Sequence, residues 1–394
     1  MTTHIPRYIT PHIRAALQRG KSVLLLGARQ TGKTTVVMEE IKPDISYSLA
    51  QARVRQRYEQ DPSLLEKELE EKISTYAQPP LIFIDEIQKI PRIMDIVQHL
   101  IDQKKALFIL TGSSARKLTH GPDVNLLPGR VVVLTMTPLL YEELQFKPLL
   151  DTLLTEGTLP AIITNPDPQT RQIDLYSYVT TYLEEEIRAE ALVRNVGHFS
   201  RFLEIAAGES GLLVNFTRLS QDIGVSDHTI AHYYQILEDC LITFRIDPLI
   251  LSQTKRRLIR SAKYLFFDLG IRRACANEIT PLPLKMSGNL FEHYIGNQLL
   301  FHALLSPIPT QIKYWRDASG LEIDFIIDQA HQYIPIEVKW SDKPQLSDAR
   351  HLIKFMEENM DIKTSYIVCR TPHRYKITDK IIALPWQELA RVFS

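Results

Sequence analysis

The chain has 394 residues, of which 44% are hydrophobic and 23% charged, and its 46 basic and 46 acidic residues give a formal net charge of zero. This length predicts two or three domains, and the zero net charge means that any nucleic-acid partner would be held by local basic patches. No apolar run approaches the roughly 20 residues of a membrane-spanning helix, the N-terminal residues do not resemble a secretion signal, and three dispersed cysteines argue against a disulfide framework. We therefore expect a cytoplasmic protein without a membrane partner.

The first strong signal in chain order is the glycine-rich motif GARQTGKT. It follows the apolar run Val23–Leu26 and precedes a helix-forming segment, and in that setting a GxxxxGK[ST] match predicts a phosphate-binding loop. Gly27 and Gly32 allow close backbone approach, Lys33 can reach the phosphates, and the Thr34 hydroxyl can bind Mg²⁺. The alternative is a glycine turn that matches by chance. The residues predicted to hold ATP are Gly27, Arg29, Gln30, Thr31, Gly32, Lys33, Thr34 and Thr35.

Two later apolar runs end in polar residues. Leu81–Ile84 is followed by Asp85 and Glu86, and Leu107–Leu110 is followed by Thr111, Gly112 and then Ser113. In a phosphate-loop enzyme, an acid at the tip of the neighbouring strand holds Mg²⁺ through water, and an adjacent glutamate can polarise the attacking water. We predict these two roles for Asp85 and Glu86, and a γ-phosphate sensor at Ser113. The alternative for the paired acids is a solvated strand end.

Four apolar runs separated by helical segments predict a parallel sheet with the ligand at the carboxyl ends of its strands. The same region contains the segments GARQTGKTT, LIFIDEIQ, ILTGSS and LLPGRVVVLTMTPLLYEEL. These resemble the AAA+ ATPases, in particular the bacterial and archaeal group in which the ATPase is fused to a C-terminal nuclease-like domain. The resemblance implies an ATP-hydrolysing homo-oligomer, for instance a hexamer, with Ser113 as first sensor and Arg130 or Arg116 as sensor or inter-subunit finger. Either arginine could instead be a surface residue that caps a strand.

The middle of the chain is predicted to be helical, and the resemblance implies a lid over the nucleotide at residues 151–210. A winged helix is then predicted, with one helix at Phe216–Ile223 and a second capped by Ser226. Its second helix could read DNA or could pack against a neighbour. Five cations follow without an acid, and they predict either a phosphate-contacting strip or a solvated face. They are Lys255, Arg256, Arg257, Arg260 and Lys263.

The last part of the chain carries a second set of acids. Alternation in Leu321–Asp328 and Ile334–Lys339 predicts two strands whose polar faces can bring Asp324, Glu337 and Lys339 together. Two carboxylates there would bind one Mg²⁺ or Mn²⁺, which activates a water for attack on a phosphodiester, and Lys339 would orient that water. Glu292, on a predicted helix, could join the metal site. The pattern Asp324…Glu337-Val338-Lys339 resembles the PD-(D/E)XK nucleases, although Phe325 follows Asp324 and no proline precedes it. The alternative is an exposed sheet face of mixed charge.

These elements predict an α/β protein with an AAA+ core at 1–150, a helical lid at 151–210, a winged-helix region and basic linker at 211–280, and a restriction-endonuclease-like domain at 281–394. The first functional hypothesis is an ATPase that binds and remodels DNA and cuts it with a metal-dependent nuclease domain. The alternative is a nucleotide-dependent regulatory or defence switch with an inactive nuclease-like module. A protein remodeller would need an aromatic pore loop, and none is evident between Lys33 and Asp85. The predicted catalytic residues are Lys33, Glu86, Asp324, Glu337 and Lys339.

Overall fold

The computed structural model describes residues 4–114, 127–183, 195–250, 258–278, 284–359 and 361–393. Its contacts group into two compact units. The first unit consists of Met1–Leu139 with Asp239–Ile242, and the second of Leu140–Glu238 with Thr243–Ser394. Apart from Asp239–Ile242, the second unit thus includes the residues predicted as lid, winged helix and nuclease-like domain, and that finer division stays a prediction.

The first unit is built on a five-stranded sheet in the order β2-β3-β4-β1-β5, and every pairing in it is parallel. The strands are β1 (Ser22–Leu26), β2 (Ile45–Ser48), β3 (Leu81–Asp85), β4 (Leu107–Gly112) and β5 (Val131–Thr135). The side chains of β1 are buried throughout, as expected for a central parallel strand that is covered on both faces. The predicted parallel sheet is therefore confirmed.

Helices connect these strands. They are α1 (Thr10–Gln18), α2 (Lys33–Thr35), α3 (Ala52–Gln60), α4 (Ser63–Ser74) and α5 (Ile93–Asp102), and α2 continues as a π-helix at Val36–Ile41. The buried side chains of α5 recur at helical spacing, with Ile93, Val97 and Leu100 fully buried, because this face of the helix packs into the core.

The second unit begins with helices, as predicted. Their bounds are α6 (Leu150–Glu156), α7 (Pro160–Ile163), α8 (Pro168–Ser177), a π-helix at Tyr178–Leu183, α9 (Val196–Gly208), α10 (Phe216–Ile223) and α11 (Asp227–Asp239). Helix α10 has the predicted bounds and ends at Gly224, whose φ of 81° is readily adopted only by glycine. The Ser226 hydroxyl accepts a hydrogen bond from the Thr229 amide at 3.1 Å, so the predicted cap of α11 is also present.

An eight-stranded sheet completes the second unit, in the order β12-β13-β11-β10-β9-β8-β6-β7. The strands are β6 (Thr243–Pro248), β7 (Lys263–Phe266), β8 (Thr310–Arg316), β9 (Glu322–Gln329), β10 (Gln332–Val338), β11 (Ser365–Cys369), β12 (Tyr375–Lys376) and β13 (Ile381–Pro385). The accompanying helices are α12 (Leu269–Cys275), α13 (Leu284–Leu305) and α14 (Arg350–Glu358), with a 3₁₀ segment at Trp386–Phe393.

This sheet joins two regions that the sequence had separated. Strands β6 and β7 pair with each other antiparallel. Strand β6 also pairs in parallel with β8, through Asp247 with Lys313 and Pro248 with Tyr314. The sheet is therefore continuous across the predicted boundary at residue 280.

Candidate functional site

The phosphate loop lies at the carboxyl end of β1. A Cβ atom added to Gly27 would lie 2.5 Å from the Met136 carbonyl oxygen, and Gly32 has a φ of 97°, so both positions require glycine. The Lys33 ammonium donates to the carbonyl oxygens of Gly27 at 2.7 Å and Ala28 at 3.0 Å. The loop is thus closed around its own lysine, with the Lys33 side chain buried.

The two predicted magnesium residues of this site are in contact. The Thr34 hydroxyl donates to Asp85 Oδ1 at 3.2 Å, although the residues lie 51 positions apart. Thr111 donates to the same Asp85 oxygen at 2.5 Å, and Ser48 donates to Oδ2 at 3.4 Å. Hydroxyl and carboxylate oxygens are the hard ligands that Mg²⁺ prefers, so Thr34 and Asp85 fit that ion.

Glu86 and Ser113, which follow adjacent strands, also meet. Ser113 Oγ donates to Glu86 Oε2 at 3.1 Å, and Gln88 Nε2 donates to both, at 2.6 Å to Glu86 Oε2 and 2.9 Å to Ser113 Oγ. Glu86 itself has a φ of 60°, a conformation that a residue with a side chain adopts only at a cost. The sequence alone did not indicate a role for Gln88, because its side chain reaches the ends of β3 and β4 only through a 3₁₀ turn at Ile87–Lys89.

The predicted sensor Arg130 is not brought to this edge of the sheet. It precedes β5, and because β5 runs parallel to β1, Arg130 lies at the amino edge, about 15 Å of strand away from the loop. Its guanidinium pairs with both carboxylate oxygens of Asp102, at 2.6 and 3.0 Å. The structure thus places Arg130 away from the phosphate loop of its own chain, and its predicted role as a sensor or inter-subunit finger stays a prediction. Arg116 lies outside the described residues.

Arg7 is a member of the loop's surroundings that sequence reasoning missed. Its side chain is buried and donates to the carbonyl oxygens of Thr31 at 2.7 Å, Thr137 at 2.7 Å and Pro138 at 3.1 Å. The sequence offered no local signal, because Arg7 precedes the motif by 20 positions and belongs to no recognisable pattern.

The acids of the second unit form a separate cluster. The Val338 amide donates to Asp324 Oδ2 at 2.8 Å, and the Lys339 ammonium donates to Glu337 Oε1 at 3.0 Å. The predicted convergence of Asp324, Glu337 and Lys339 is thus present. Glu337 Oε2 is buried and has no hydrogen-bond partner within the described part of the chain.

A bulge in β9 sets the position of Asp324, and the predicted simple alternation is wrong at this point. Trp315 pairs with Ile323 but Lys313 pairs with Ile326, so one residue of β8, Tyr314, opposes two of β9, Asp324 and Phe325. Phe325 therefore does not belong to the core cluster that contains Ile323 and Ile326. Bulges are common next to active sites because they redirect one side chain.

Burial and mutual repulsion perturb the carboxyl groups of this cluster. Burial, helped by the charge of Asp324, raises the pKa of Glu337 to about 8. Burial also raises the pKa of Asp324, against the opposing effect of the nearby Lys339. For Glu292, burial and then Asp324 raise the pKa to about 7. Carboxyl pKa values raised in this way indicate that the acids share one site, in which nearby cations neutralise only part of their charge.

Glu292 pairs with a lysine. Lys263 Nζ lies 3.5 Å from Glu292 Oε1 and 2.8 Å from Glu322 Oε1, and the Lys263 side chain is only 4% exposed. Burial disfavours its charge, but the surrounding carboxylates outweigh that cost and raise its pKa above the ordinary value. Lys263 is therefore not a surface cation of the predicted strip, whereas Arg260 is exposed. The strip's other three cations fall in a range without described structure.

The predicted three-ligand metal site is also corrected. Among the residues with described positions, no group of three or more His, Cys, Asp or Glu side chains is arranged to hold a metal ion. Glu292 is instead paired with Lys263, whose ammonium lies 3.5 Å from its Oε1. The pair Asp324 and Glu337 remains, and the buried, unpartnered Glu337 oxygen is the feature that fits a divalent cation.

Family models match three successive parts of the chain. The model described as AAA domain matches residues 19–145, which include the phosphate loop, Asp85, Glu86 and Ser113. The first unit carries an AAA domain. Two domains of unknown function follow, DUF8612 at residues 147–281 and DUF4143 at residues 287–389. The second sheet thus combines strands from both of the regions that follow the AAA domain.

Individual relatives are distant. The uncharacterized proteins Mb2031c of Mycobacterium bovis and Rv2008c of Mycobacterium tuberculosis are each 26% identical over 384 residues, 96% of this chain and 82% of theirs. A solved structure of the Aeropyrum pernix ORC1 protein in complex with DNA is 14% identical and covers 71% of this chain and 94% of that one, with a TM-score of 0.28. That TM-score is too low to decide a fold or a partner. No helix in the described ranges is both long and apolar enough to span a membrane.

Proposed function

We propose that this protein hydrolyses ATP at the phosphate loop of its AAA domain, with Mg²⁺ as cofactor. The observation that carries the proposal is the meeting of the Thr34–Asp85 pair with the Glu86–Ser113 pair at one edge of a parallel sheet. Bound Mg²⁺, held by Thr34 and Asp85, would supply charge neutralisation on the phosphates.

The chain's own residues take the other roles. Lys33 exchanges the carbonyl oxygens of Gly27 and Ala28 for phosphate oxygens, which are stronger partners because they are charged. Glu86, oriented by Gln88 and Ser113, accepts the proton of the attacking water.

Phosphate release from ATP in the presence of Mg²⁺ tests this proposal. Lys33→Ala should lose nucleotide binding, whereas Glu86→Gln should bind ATP but hydrolyse it about 100-fold or more slowly, because only the proton acceptor is removed. The matched controls are Lys67→Ala and Glu39→Gln, which alter exposed residues of nearby helices and should behave like the wild type. Normal hydrolysis by Lys33→Ala would refute the proposal.

We also propose that the acidic cluster of the second unit is a metal-dependent centre that cleaves DNA, and that ATP turnover by a homo-oligomer is coupled to it. The buried, unpartnered Glu337 oxygen supports this proposal, together with the adjacent Asp324 and Lys339. Asp324 and Glu337 would hold Mg²⁺ or Mn²⁺, and Lys339 would stabilise negative charge. The competing proposal is a nucleotide-dependent switch with an inactive, nuclease-like binding module.

A panel of linear, branched and gapped DNA, incubated with Mg²⁺ or Mn²⁺, separates the two proposals. A nuclease should cut at least one of these substrates, Asp324→Asn should abolish cutting, and Asp379→Asn, an exposed acid of the same unit, should not. The switch predicts no cutting by any of the proteins and an ATPase rate that does not respond to DNA. Cutting that survives Asp324→Asn would assign the activity elsewhere.

A further inference from the structure

Arg7 connects two segments of the first unit that are distant in sequence. Its guanidinium donates to Thr31 in the phosphate loop and to Thr137 and Pro138, which follow β5, over sequence separations of 24, 130 and 131 residues. The side chain is 6% exposed. Arg7 also lies outside the range that matches the AAA domain, which begins at residue 19.

The contact with Thr31 acts on the phosphate loop itself. The Thr31 carbonyl and the Gly32 amide belong to one planar, trans peptide group, in which C=O and N–H point in opposite directions. A hydrogen bond from a cation to that carbonyl therefore fixes the orientation of the Gly32 N–H. It also polarises this N–H, which makes it a better donor to an anion.

The residues around Arg7 hold the helix that follows the loop. The Arg7 amide donates to Glu40 Oε1 at 3.2 Å, the Thr10 hydroxyl donates to Glu40 Oε2 at 2.6 Å, and Arg14 Nη2 donates to the Glu40 carbonyl oxygen at 2.7 Å. Glu40 lies in the π-helix at Val36–Ile41. The N-terminal segment thus contacts both the loop and the helix behind it.

A second, independent contact joins the loop to the segment after β5. The Met136 amide donates to the Leu26 carbonyl oxygen at 2.6 Å, and Gly27 packs so closely on Met136 that no Cβ fits between them. We name Met136–Leu139 the exit segment, because the second unit begins in sequence at Leu140. The loop therefore touches the exit segment directly through Gly27 and indirectly through Arg7.

We propose that Arg7 is a positioning residue that ties the phosphate loop to the exit segment, so that nucleotide binding in the loop orders the exit segment. The nucleotide half of this inference rests on the proposed ATPase function. An arginine is required because its planar guanidinium donates in several fixed directions at once, whereas a lysine ammonium cannot span the same carbonyl oxygens.

Arg7→Lys tests the proposal, since it keeps the positive charge but removes the planar guanidinium that donates to several carbonyl oxygens at once. Arg19→Lys is the matched control, because Arg19 is an exposed arginine of the same segment whose guanidinium donates to the Ala15 carbonyl oxygen in α1. Binding of a fluorescent ATP analogue, the KM and kcat of hydrolysis, and backbone hydrogen exchange of the exit segment are measured for the wild type and both variants.

In the wild type, the ATP analogue should slow hydrogen exchange at Met136 and Leu139. Arg7→Lys should weaken analogue binding and raise KM by about tenfold or more, change kcat little, and remove the exchange response. Arg19→Lys should match the wild type. Equal responses in Arg7→Lys and the wild type, or equal losses in both variants, would overturn the proposal.

A nucleotide-free measurement separates this inference from the ATPase proposal. Without nucleotide, Arg7→Lys should already speed exchange of the Met136 amide, because the exit segment has lost a tether. Unchanged exchange there would refute the tether whether or not ATP binds. Failure of the wild type to bind the analogue would instead refute the ATPase proposal and, with it, the nucleotide half of the inference.

Discussion

The chemistry of both candidate sites depends on contacts of single residues, such as Thr34 with Asp85 and Lys339 with Glu337. Asp85 and Glu86 were predictable because a fully apolar strand ends in two acids, and strand ends of a parallel sheet meet at one edge. Gln88 and Arg7 were not, because their contacts depend on a turn geometry and on a chain separation that leave no local pattern. Lys263 was misjudged because the other charged residues between positions 255 and 263 are all cations, whereas the carboxylates that it contacts are distant in sequence.

Gly27→Ala should disrupt the phosphate loop. The new Cβ would meet the Met136 backbone, which cannot give way as a flexible side chain can, so we expect a loss of about 1–3 kcal/mol in the free energy of unfolding and much weaker ATP binding. Gly208→Ala, in helix α9, is the control, because nothing lies within 4 Å of the added atom. Denaturant unfolding and ATP binding of both variants are the measurements. A Gly27→Ala protein as stable and as tight-binding as the wild type would contradict the predicted clash.

Glu337 should make the protein less stable as the pH rises. Its pKa is raised from 4.5 to about 8 by burial and by Asp324, so between these values the folded state keeps a proton that the unfolded chain releases. The free energy of unfolding should then fall across this window by up to about 1.4 kcal/mol per pH unit. Glu337→Gln should flatten this fall, whereas Glu357→Gln, at an exposed position, should keep it. Denaturant titrations in metal-free buffer across this pH range would show the difference, and identical slopes in all three proteins would contradict it.

Elements with regular patterns were the most predictable part of the fold. Helix α10 matches its predicted bounds because an asparagine cap and a glycine stop flank it. The position of strand β9 was predicted correctly, but the predicted alternation of its side chains between the two faces was too simple. Alternation cannot reveal a bulge, which here places one extra residue of β9 opposite β8. The parallel pairing of β6 with β8 was not predictable, because about 65 residues separate these strands and the sequence of neither strand indicates with which other strand it pairs.

The cap of helix α12 should be among the most sensitive side chains of the second unit. Asp268 is buried and accepts hydrogen bonds from the amides of Thr158 at 2.7 Å and Ile271 at 3.1 Å. Asp268→Ala leaves both amides buried without a partner, so we expect a loss of about 2–4 kcal/mol in the free energy of unfolding. Asp167→Ala removes the exposed cap of α8, where water replaces the lost partner, and should cost about 1 kcal/mol. Equal costs in denaturant unfolding would contradict this reasoning.

The chain combines an AAA domain with a second unit, in which one sheet contains strands from both of the regions that follow this domain. Composition and length predicted more than one domain, and the order of the motifs predicted the position of the AAA domain. The continuity of the second sheet could not be predicted, because it depends on which strand edges meet after the chain has passed through helix α13.

A truncated protein tests this continuity. Residues 140–394 should fold on their own, whereas residues 284–394 should aggregate, because removal of β6 and β7 leaves the edge of β8 unpaired. Solubility, circular dichroism and the cooperativity of thermal unfolding compare the two fragments. A stable, monomeric fragment of residues 284–394 would show that β6 and β7 are dispensable to the remaining strands.

The shared sheet also limits how the gene can change. Strands β6 and β7 lie in the DUF8612 region, and β8 to β13 lie in the DUF4143 region. A recombination breakpoint between these regions would therefore leave an unpaired strand edge in both products. We therefore expect the two regions to be inherited together, as one evolutionary module, even in lineages that replace or lose the AAA domain in front of them.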